Sequence, residues 1–383
     1  MGSILGVQIL LILASLTSGV SSNTAEEAIA KPAAKYDVVL LGRPETGIIH
    51  PASINDSGDV AGTLGAFHYH AAIWSNGFLK DLGTLPGDTY STAVAINSSG
   101  HVVGFSNKEG GSGMRAFFWD GTVLHPIGPA HVYRCQPTSM NDNDDIVLAV
   151  TYTSGAPIRC VVVTSKGMLD TGLTNTGDAV IDKRGRIAAG VPNLGTGGHG
   201  VLWTKNKTTD LGVFADATSS IPTAMSDRMV VGYAQPSEQT KIGIPSIPSY
   251  VYLLPIAFYS EKETACAWQQ GRITDLGSIS QELPMSRALG VNRDGVIVGY
   301  SFPPIVDSPM RAESTATLWA KGEIQNLNDL VNHDPKVFLE SATGINSSGC
   351  IIAEGIVARR RGKYPGNWDR AGFLLIPHTV AAP

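Results

Sequence analysis

Two stretches concentrate side chains able to hold a polar ligand. Tyr250, Tyr252, Phe258 and Tyr259 crowd one short window. Arg359, Arg360, Arg361, Lys363, Tyr364, Trp368 and Arg370 crowd another, and Arg311 lies between the two. Aromatic faces stack on sugar rings or aromatic groups, and guanidinium forks pair with carboxylates or phosphates. Tyr250, Tyr252, Tyr259, Arg311, Arg360, Trp368 and Arg370 are therefore the candidate ligand-binding residues. The competing reading makes the Tyr250–Tyr259 aromatics a lid over the fold and the arginine run a solvated loop.

Residues for catalysis are harder to find. The chain contains no Gly-x-Ser-x-Gly elbow, no His-Glu-x-x-His helix and no Walker loop. His68 and His70 are two apart, and in a strand they would face one side, but no third metal ligand accompanies them. The run Asn141-Asp142-Asn143-Asp144-Asp145 has calcium-like alternation, yet it lacks the glycine and glutamate such a loop needs and reads as a turn. Glycosylation sequons begin at Asn55, Asn97, Asn206 and Asn346, three of them within a recurring turn phrase. No catalytic residue, metal or cofactor is expected.

Seven copies of one phrase organise the chain. Ala52-Ser53-Ile54-Asn55-Asp56-Ser57-Gly58-Asp59-Val60-Ala61-Gly62 returns as Ala93 to Gly104, as Gly290 to Gly299 and as Gly344 to Gly349. Weaker copies start at Met140, Ile181 and Met225, and the repeat asparagine or aspartate recurs after 42, 44 and 41 residues. A second phrase ends in Trp: His70 to Trp74, Arg115 to Trp119, His199 to Trp203, Thr264 to Trp268 and Thr315 to Trp319. A third is Asp-Leu-Gly at Asp81, Asp210 and Asp275, degraded to Asp-Thr-Gly at Asp170. A repeat of about 40–45 residues holding four short strands is a propeller blade. Asn or Asp followed by Gly is a hairpin signal, because both tolerate positive φ.

The expected fold is thus an all-β, seven-bladed propeller of four-stranded repeats of about 42 residues. The Asn phrase supplies the innermost strand, Val-Val-Gly the second, the Trp phrase the third and Asp-Leu-Gly the outermost. Residues 36–42 form an outer-strand phrase with no blade before it, whereas the last copy ends at its third strand, Phe373 to Ile376. Pairing the two closes the last blade and removes the free edges.

Composition agrees: 383 residues, 43% hydrophobic, 16% charged, with 43 Gly and 22 Pro. This suits short strands and turns. A net charge of −5 argues against nucleic-acid partners. Residues 1–22 carry an apolar run from Ile4 through Leu16 and a small-residue tail, the pattern of a signal peptide, although no Lys or Arg precedes Lys31. An uncleaved anchor is the alternative. Residues 23–35 read as a linker, 36–376 as a single propeller domain and 377–383 as a tail. No membrane insertion is expected after signal cleavage. Of the four cysteines, Cys135 and Cys160 share a repeat and are the expected pair if one forms, while Cys266 reads as a buried thiol.

These phrases resemble the HAF-repeat family of probable extracellular bacterial proteins, the segment from Asp81 to Asn97 most closely. The His-Ala-Phe triplet itself is degenerate here, as His70-Ala71-Ala72, Arg115-Ala116-Phe117 and His199-Gly200-Val201. The resemblance spans nearly all of Tyr36 to Ile376. It implies export and a repeat array, and it carries no catalytic residues across.

Alternation places the second-to-third loops and the blade-to-blade loops on one face. Gln235–Glu261, Phe302–Ser314 and Ile356–Arg370 are insertions there, in blades 5, 6 and 7, and the connection Asn328–Ser341 joins them. Repeat proteins bind through such loops. The expectation is a protein that is secreted, periplasmic or on the cell surface. It would be a non-enzymatic recognition or scaffold module for an extracellular carbohydrate or protein. The alternative is a glycan-acting hydrolase or lyase with carboxylates in the central funnel, against which the inner strands offer mainly Ala, Ile, Ser and Thr. A third reading is adhesion through the lateral blade surfaces.

Overall fold

Each repeat folds as an antiparallel meander whose second and third strands are apolar on both faces and whose fourth is exposed. Blade 1 shows the rule: in Val60–Gly65 and His70–Ser75 the central residues are buried, whereas Phe78–Gly83 is mostly open to solvent. Strands sandwiched between neighbouring blades must be hydrophobic on both sides; the outermost strand meets water. The computed structural model describes residues 35–43, 47–65, 69–108, 113–193, 197–205, 207–214, 217–235, 263–304, 314–332, 337–358 and 368–378. The segment Met1–Pro32 separates from the unit Ala33–Pro383 and lies outside the described residues, as does the expected signal peptide.

Seven sheets result, in the expected strand order. The first strands are Gly47–Ile54, Tyr90–Ile96, Arg134–Met140, Ala179–Ile181, Ser219–Met225, Met285–Val291 and Val337–Ile345. The last sheet runs Val337–Ile345, Ile351–Ala358, Trp368–Pro377, and then Tyr36–Leu40 from the other end of the chain, paired from Tyr36↔Pro377 to Leu40↔Phe373. Its outer edge is tied by Asp37, which accepts from Asn332 Nδ2 at 2.6 Å and meets His378 Nε2 at 3.0 Å. One detail was not anticipated. After Leu41 the chain adds Gly42–Arg43 as a fifth strand on the inner edge of blade 1.

The repeat asparagine has two tasks. In blade 2 the Asn97 Oδ1 accepts from the backbone N–H groups of Ser99 and His101, holding its own hairpin, which Gly100 completes at φ 80°. Its Nδ2 donates to the backbone oxygen of Asn141 in the next blade and to Asp144 Oδ1. Asn55 reaches Asn97, Asn141 reaches Asp182, Asn292 reaches Asn346, and Asn346 returns to Asn55. This near-continuous belt runs round the hairpin face. Asp182 has no amide to donate, but its carboxylate holds Arg186, whose Nη2 donates to Asp227 O at 3.1 Å. Only between blades 5 and 6 does the belt lapse. The blade 5 turn closes from Ser226 N to Met229 O, one residue shorter than the others, and Ser226 Oγ is buried without a partner. The sequons at Asn55, Asn97 and Asn346 therefore belong to the belt, with side chains in buried residues. Asn206 lies outside the described residues.

The other phrases also become contacts between or within blades. Ser91, Ser220 and Ser286 each accept the third-strand N–H of the preceding blade and donate to the carbonyl of its Asp-Leu-Gly glycine. The phrase's aspartate caps that glycine's N–H and pairs with a residue at or near the start of the third strand, eleven positions earlier: His70–Asp81 and His199–Asp210 at 2.8 Å, Arg159–Asp170 at 2.7 Å. Either His or Arg can therefore fill this place, while Arg115, whose blade lacks the aspartate, pairs with Asp88 at 2.7 Å. Trp74, Trp119, Trp203, Trp268 and Trp319 are at least nine-tenths buried, and each packs against the preceding blade, as Trp119 does on Ala61, Ala71 and Leu85. A buried aromatic of this size removes about 150–250 Å² from water, a gross gain of roughly 4–6 kcal/mol.

The glycine of Val-Val-Gly is set by close approach. A Cβ on Gly299 would stand 1.9 Å from the carbonyl oxygen of Arg287 on the first strand. Gly299→Ala is expected to cost about 2–4 kcal/mol through backbone displacement, measured by urea unfolding.

The expected Cys135–Cys160 pair does not form; all four cysteines are free. Second-strand residues intervene, with Cys135 opposite Val150 and Cys160 opposite Ala149. Adjacent positions on that strand face opposite sides, so the two thiols enter different packing layers. Burial pushes Cys135 up to about 11 and raises Cys160, Cys266 and Cys350 as well. Cys266 is fully buried, as expected, whereas Cys350 is half-buried. Iodoacetamide at neutral pH should label Cys350 first and reach Cys160 and Cys266 only on unfolding. Equal native labelling of all four, read by peptide mass, would contradict this packing.

Candidate functional site

The strands end where the insertions were expected to begin. Blade 5 leaves its second strand at Gln235 and resumes at Thr264; blade 6 leaves at Phe302 and resumes at Thr315. Tyr250, Tyr252, Phe258, Tyr259, Arg311 and Arg360 lie outside the described residues, as do Arg359, Arg361, Lys363, Tyr364 and His68. Blade 7 needs a correction. Ile356 to Ala358 and Trp368 to Arg370 are not loop: they extend the hairpin, Ile356 opposite Arg370 and Ala358 opposite Trp368. Continued pairing satisfies backbone groups that a loop would leave to water. Arg370 is thereby held on a strand, with Nη1 3.2 Å from Glu340 Oε2.

Besides the Arg115–Asp88 pair, two larger polar groups of described residues stand around this face. The first joins blades 5 and 6. Glu263, immediately before the third strand of blade 5, is fully buried and takes a bidentate pair from Arg287 on the first strand of blade 6, at 2.5 and 2.9 Å. The guanidinium carbon lies 4.3 Å from the centre of the Tyr233 ring and 6.0 Å from that of Phe302. Tyr300 and Phe302 meet with ring centres 5.3 Å apart. Burial works against the Arg287 charge, but the Glu263 bonds outweigh it and hold its pKa above the usual guanidinium value. Asp178 of blade 4 is open to solvent, yet surrounding protein raises its carboxyl, opposed by Arg287.

The second group joins blades 7, 1 and 2. Glu354 on the second strand of blade 7 lies 3.4 Å from His50 Nδ1 on the first strand of blade 1. Glu340 stands close enough to Glu354 to feel its charge. Burial raises the Glu340 carboxyl, Arg370 opposes that and Glu354 adds to it. Beyond His50, Tyr69 and Tyr90 face each other with ring centres 6.4 Å apart. Two neighbouring acids thus stand on this face, which the run of Ala, Ile, Ser and Thr along the inner strands did not suggest.

The signal for both groups was a departure from the repeat. The position after Val-Val-Gly holds Thr63, Phe105, Tyr233 and Tyr300, and its counterpart in blade 7 is Glu354. Five residues before the repeat Asn stand His50, Thr92, Gln136 and Arg287. Charged residues where neighbours are small or aromatic mark a site, and aligning the blades exposes them.

The Asn141–Asp145 run is a turn, as read. Asn141 Oδ1 accepts from Asn143 N and Asp145 N, Asp142 accepts from Ser98 N, and Asp144 pairs with His101 at 3.0 Å. Among the described residues no group of three or more His, Cys, Asp or Glu could hold a metal ion, and no helix is long and apolar enough to cross a membrane.

No family model and no curated protein matches the chain, so the HAF-repeat resemblance rests on the quoted phrases alone. Among solved structures the chain is similar to the β-propeller domain of the Trilobed protease from Pyrococcus furiosus, at TM-score 0.48 and 9% identity over 84% of this chain and 97% of that one. It is similar to the SapL1 lectin in complex with alpha methyl fucoside, at TM-score 0.42 and 13% identity over 73% and 95%. It is also similar to the Aleuria aurantia lectin in complex with Fucalpha1-6GlcNAc, at TM-score 0.38 and 11% identity over 76% and 94%. The chain is a seven-bladed β-propeller with four antiparallel strands per blade and one added inner-edge strand in blade 1.

Proposed function

We propose that this propeller is a secreted recognition module that binds an extracellular carbohydrate through the insertion-rich face. The observation that carries it is the concentration of hydrogen-bonding and aromatic side chains on that face. Tyr69, Tyr90, Tyr233, Tyr300, His50, Glu354 and Arg370 are drawn from blades 1, 2, 5, 6 and 7 onto this face. Aromatic faces beside charged and amide groups match the alternating apolar and hydroxyl surfaces of sugars. The residues of the insertions, Tyr250, Tyr252, Tyr259, Arg311 and Arg360, with Trp368, belong to the same proposal. The test is binding of the chain from Asn23 onward to a glycan and polysaccharide array, beside variants with Gln235–Glu261 and, in blade 7, residues 359–367 between the paired strands shortened. Glycan binding lost on shortening supports the face; silence from a folded protein removes the carbohydrate reading in favour of a protein partner.

A second reading is favoured by Glu340 and Glu354. Two acids in different surroundings, one with its pKa raised, are what glycoside hydrolysis uses. Under it, any glycan-cleaving activity falls at least a hundredfold in both Glu340→Gln and Glu354→Gln, measured as reducing-end release. Cleavage unchanged in either variant removes that acid from the reading.

A further inference from the structure

The described parts of the insertion-rich face are not equally equipped. On blades 1 and 2 the loops are short, yet Tyr69 directly precedes the third strand of blade 1 and Tyr90 begins the first strand of blade 2, their rings inclined by 39°. Tyr69 is 37% exposed, enough to offer a ring face to a ligand. Its backbone oxygen is fixed by Ser91 N at 2.8 Å, so the ring stands on ladder-held backbone.

What lies beside these rings decides what they could hold. Gly65 has no side chain, and both the His50 ring and the edge of Tyr69 border the space a Cβ would fill, at 3.4 and 3.5 Å. His50 leads to Glu354, and Glu354 to Glu340 with Arg370. The result is a strip from blade 7 across blade 1 to blade 2, aromatic at one end and lined with carboxylates, imidazole and guanidinium at the other.

We propose that this strip is a subsite for one chain of linked, uncharged pyranose rings, with Tyr69 and Tyr90 as its stacking platform. The carboxylates and His50 would bond the hydroxyls of the next residue. A pyranose presents C–H groups on its face and hydroxyls at its rim, so one ring can lie on Tyr69 while its neighbour is held by its edges. A polyanionic glycan would meet Glu340 and Glu354 and is disfavoured. This inference rests on the carbohydrate reading above and locates its ligand outside the long insertions.

The test uses the intact protein and isothermal titration with cellohexaose, mannohexaose, chitohexaose and xylohexaose, with hexagalacturonate as the charged comparison. The variants are Tyr69→Ala, Tyr69→Trp, Tyr90→Ala, Glu354→Gln and, from the opposite face, Phe78→Ala, whose residue is 80% exposed. The expected result is binding of at least one neutral hexamer, weakened about tenfold or more by Tyr69→Ala and kept within about threefold by Tyr69→Trp and Phe78→Ala. Thermal melts confirm that each variant folds. Neutral hexamers that bind the native protein and Tyr69→Ala equally would overturn this subsite while leaving the carbohydrate reading intact. Preference for hexagalacturonate would overturn the uncharged class. Failure of every glycan, here and on the array, would remove both proposals together.

Discussion

Arg287→Met is expected to lower the unfolding free energy by about 3–5 kcal/mol, one of the largest single-site effects in the molecule. The substitution keeps most of the side-chain volume but leaves Glu263, fully buried, without either of its charged hydrogen bonds. A buried carboxylate that loses its partner must stay ionised at high cost or take up a proton. The same reasoning predicts rescue. In Arg287→Met with Glu263→Met the charges leave together, and most of the lost stability should return, because an ion pair replaced by apolar groups is often neutral or stabilising. Urea unfolding of the four proteins in this cycle measures the coupling. A loss below about 1 kcal/mol for the single variant would mean that the pair is not shielded from water.

The second large effect falls on the belt of asparagines. Asn97→Ala removes two acceptor contacts inside its own hairpin and two donor contacts to blade 3, leaving Ser99 N, His101 N and Asn141 O short of partners. At about 1 kcal/mol per bond, with a further penalty for groups left dry, the loss should be about 2–4 kcal/mol. Ser226→Ala is the matched control. It stands at the equivalent place in blade 5, its hydroxyl makes no bond, and the change should lie within about 1 kcal/mol of neutral or stabilise. Equal losses at both positions would show that hairpin packing, and not the belt, holds the blades together.

The belt also shows why the fold was readable from the sequence. One residue type in one phrase serves the hairpin and the neighbouring blade at once, so it recurs at a fixed period, and period is what a sequence displays. The same holds for the Trp phrase and for the aspartate of Asp-Leu-Gly, which caps a glycine and pairs with His70, His199 or Arg159 at equal spacing. The closing strand was legible because Tyr36 to Leu40 had outer-strand character with no blade before it. The candidate site was less so. Composition drew attention to aromatic and arginine clusters in the insertions, whereas Arg287, His50, Glu340 and Glu354 are single substitutions inside regular strands and Glu263 directly precedes one. Arg287 and His50 find their partners on the neighbouring blade, Glu263 and Glu354, and Glu340 meets Arg370 on another strand of its own blade, so no short window contains both members. Cys135 and Cys160 show the reverse error: nearness in the chain suggested a bond that the pleat of the intervening strand forbids.

The joining of Tyr36–Leu40 to Trp368–Pro377 sets the order in which the molecule can be completed. The strand made first in the propeller has its partner in the strand made last: Asp37 and His378, which meet at the rim, are 341 residues apart. Until the final hairpin is made, blade 7 lacks its outer edge and the inner edges of the ring have no neighbour on one side. Six blades can form from local pairings as they emerge, but the last event is a search across the whole chain, which contact order makes slow. During that interval the nascent protein carries unpaired strand edges, the surfaces most prone to joining other chains. A stop at any point before Trp368 would therefore produce more than a shortened propeller; it would produce an open one.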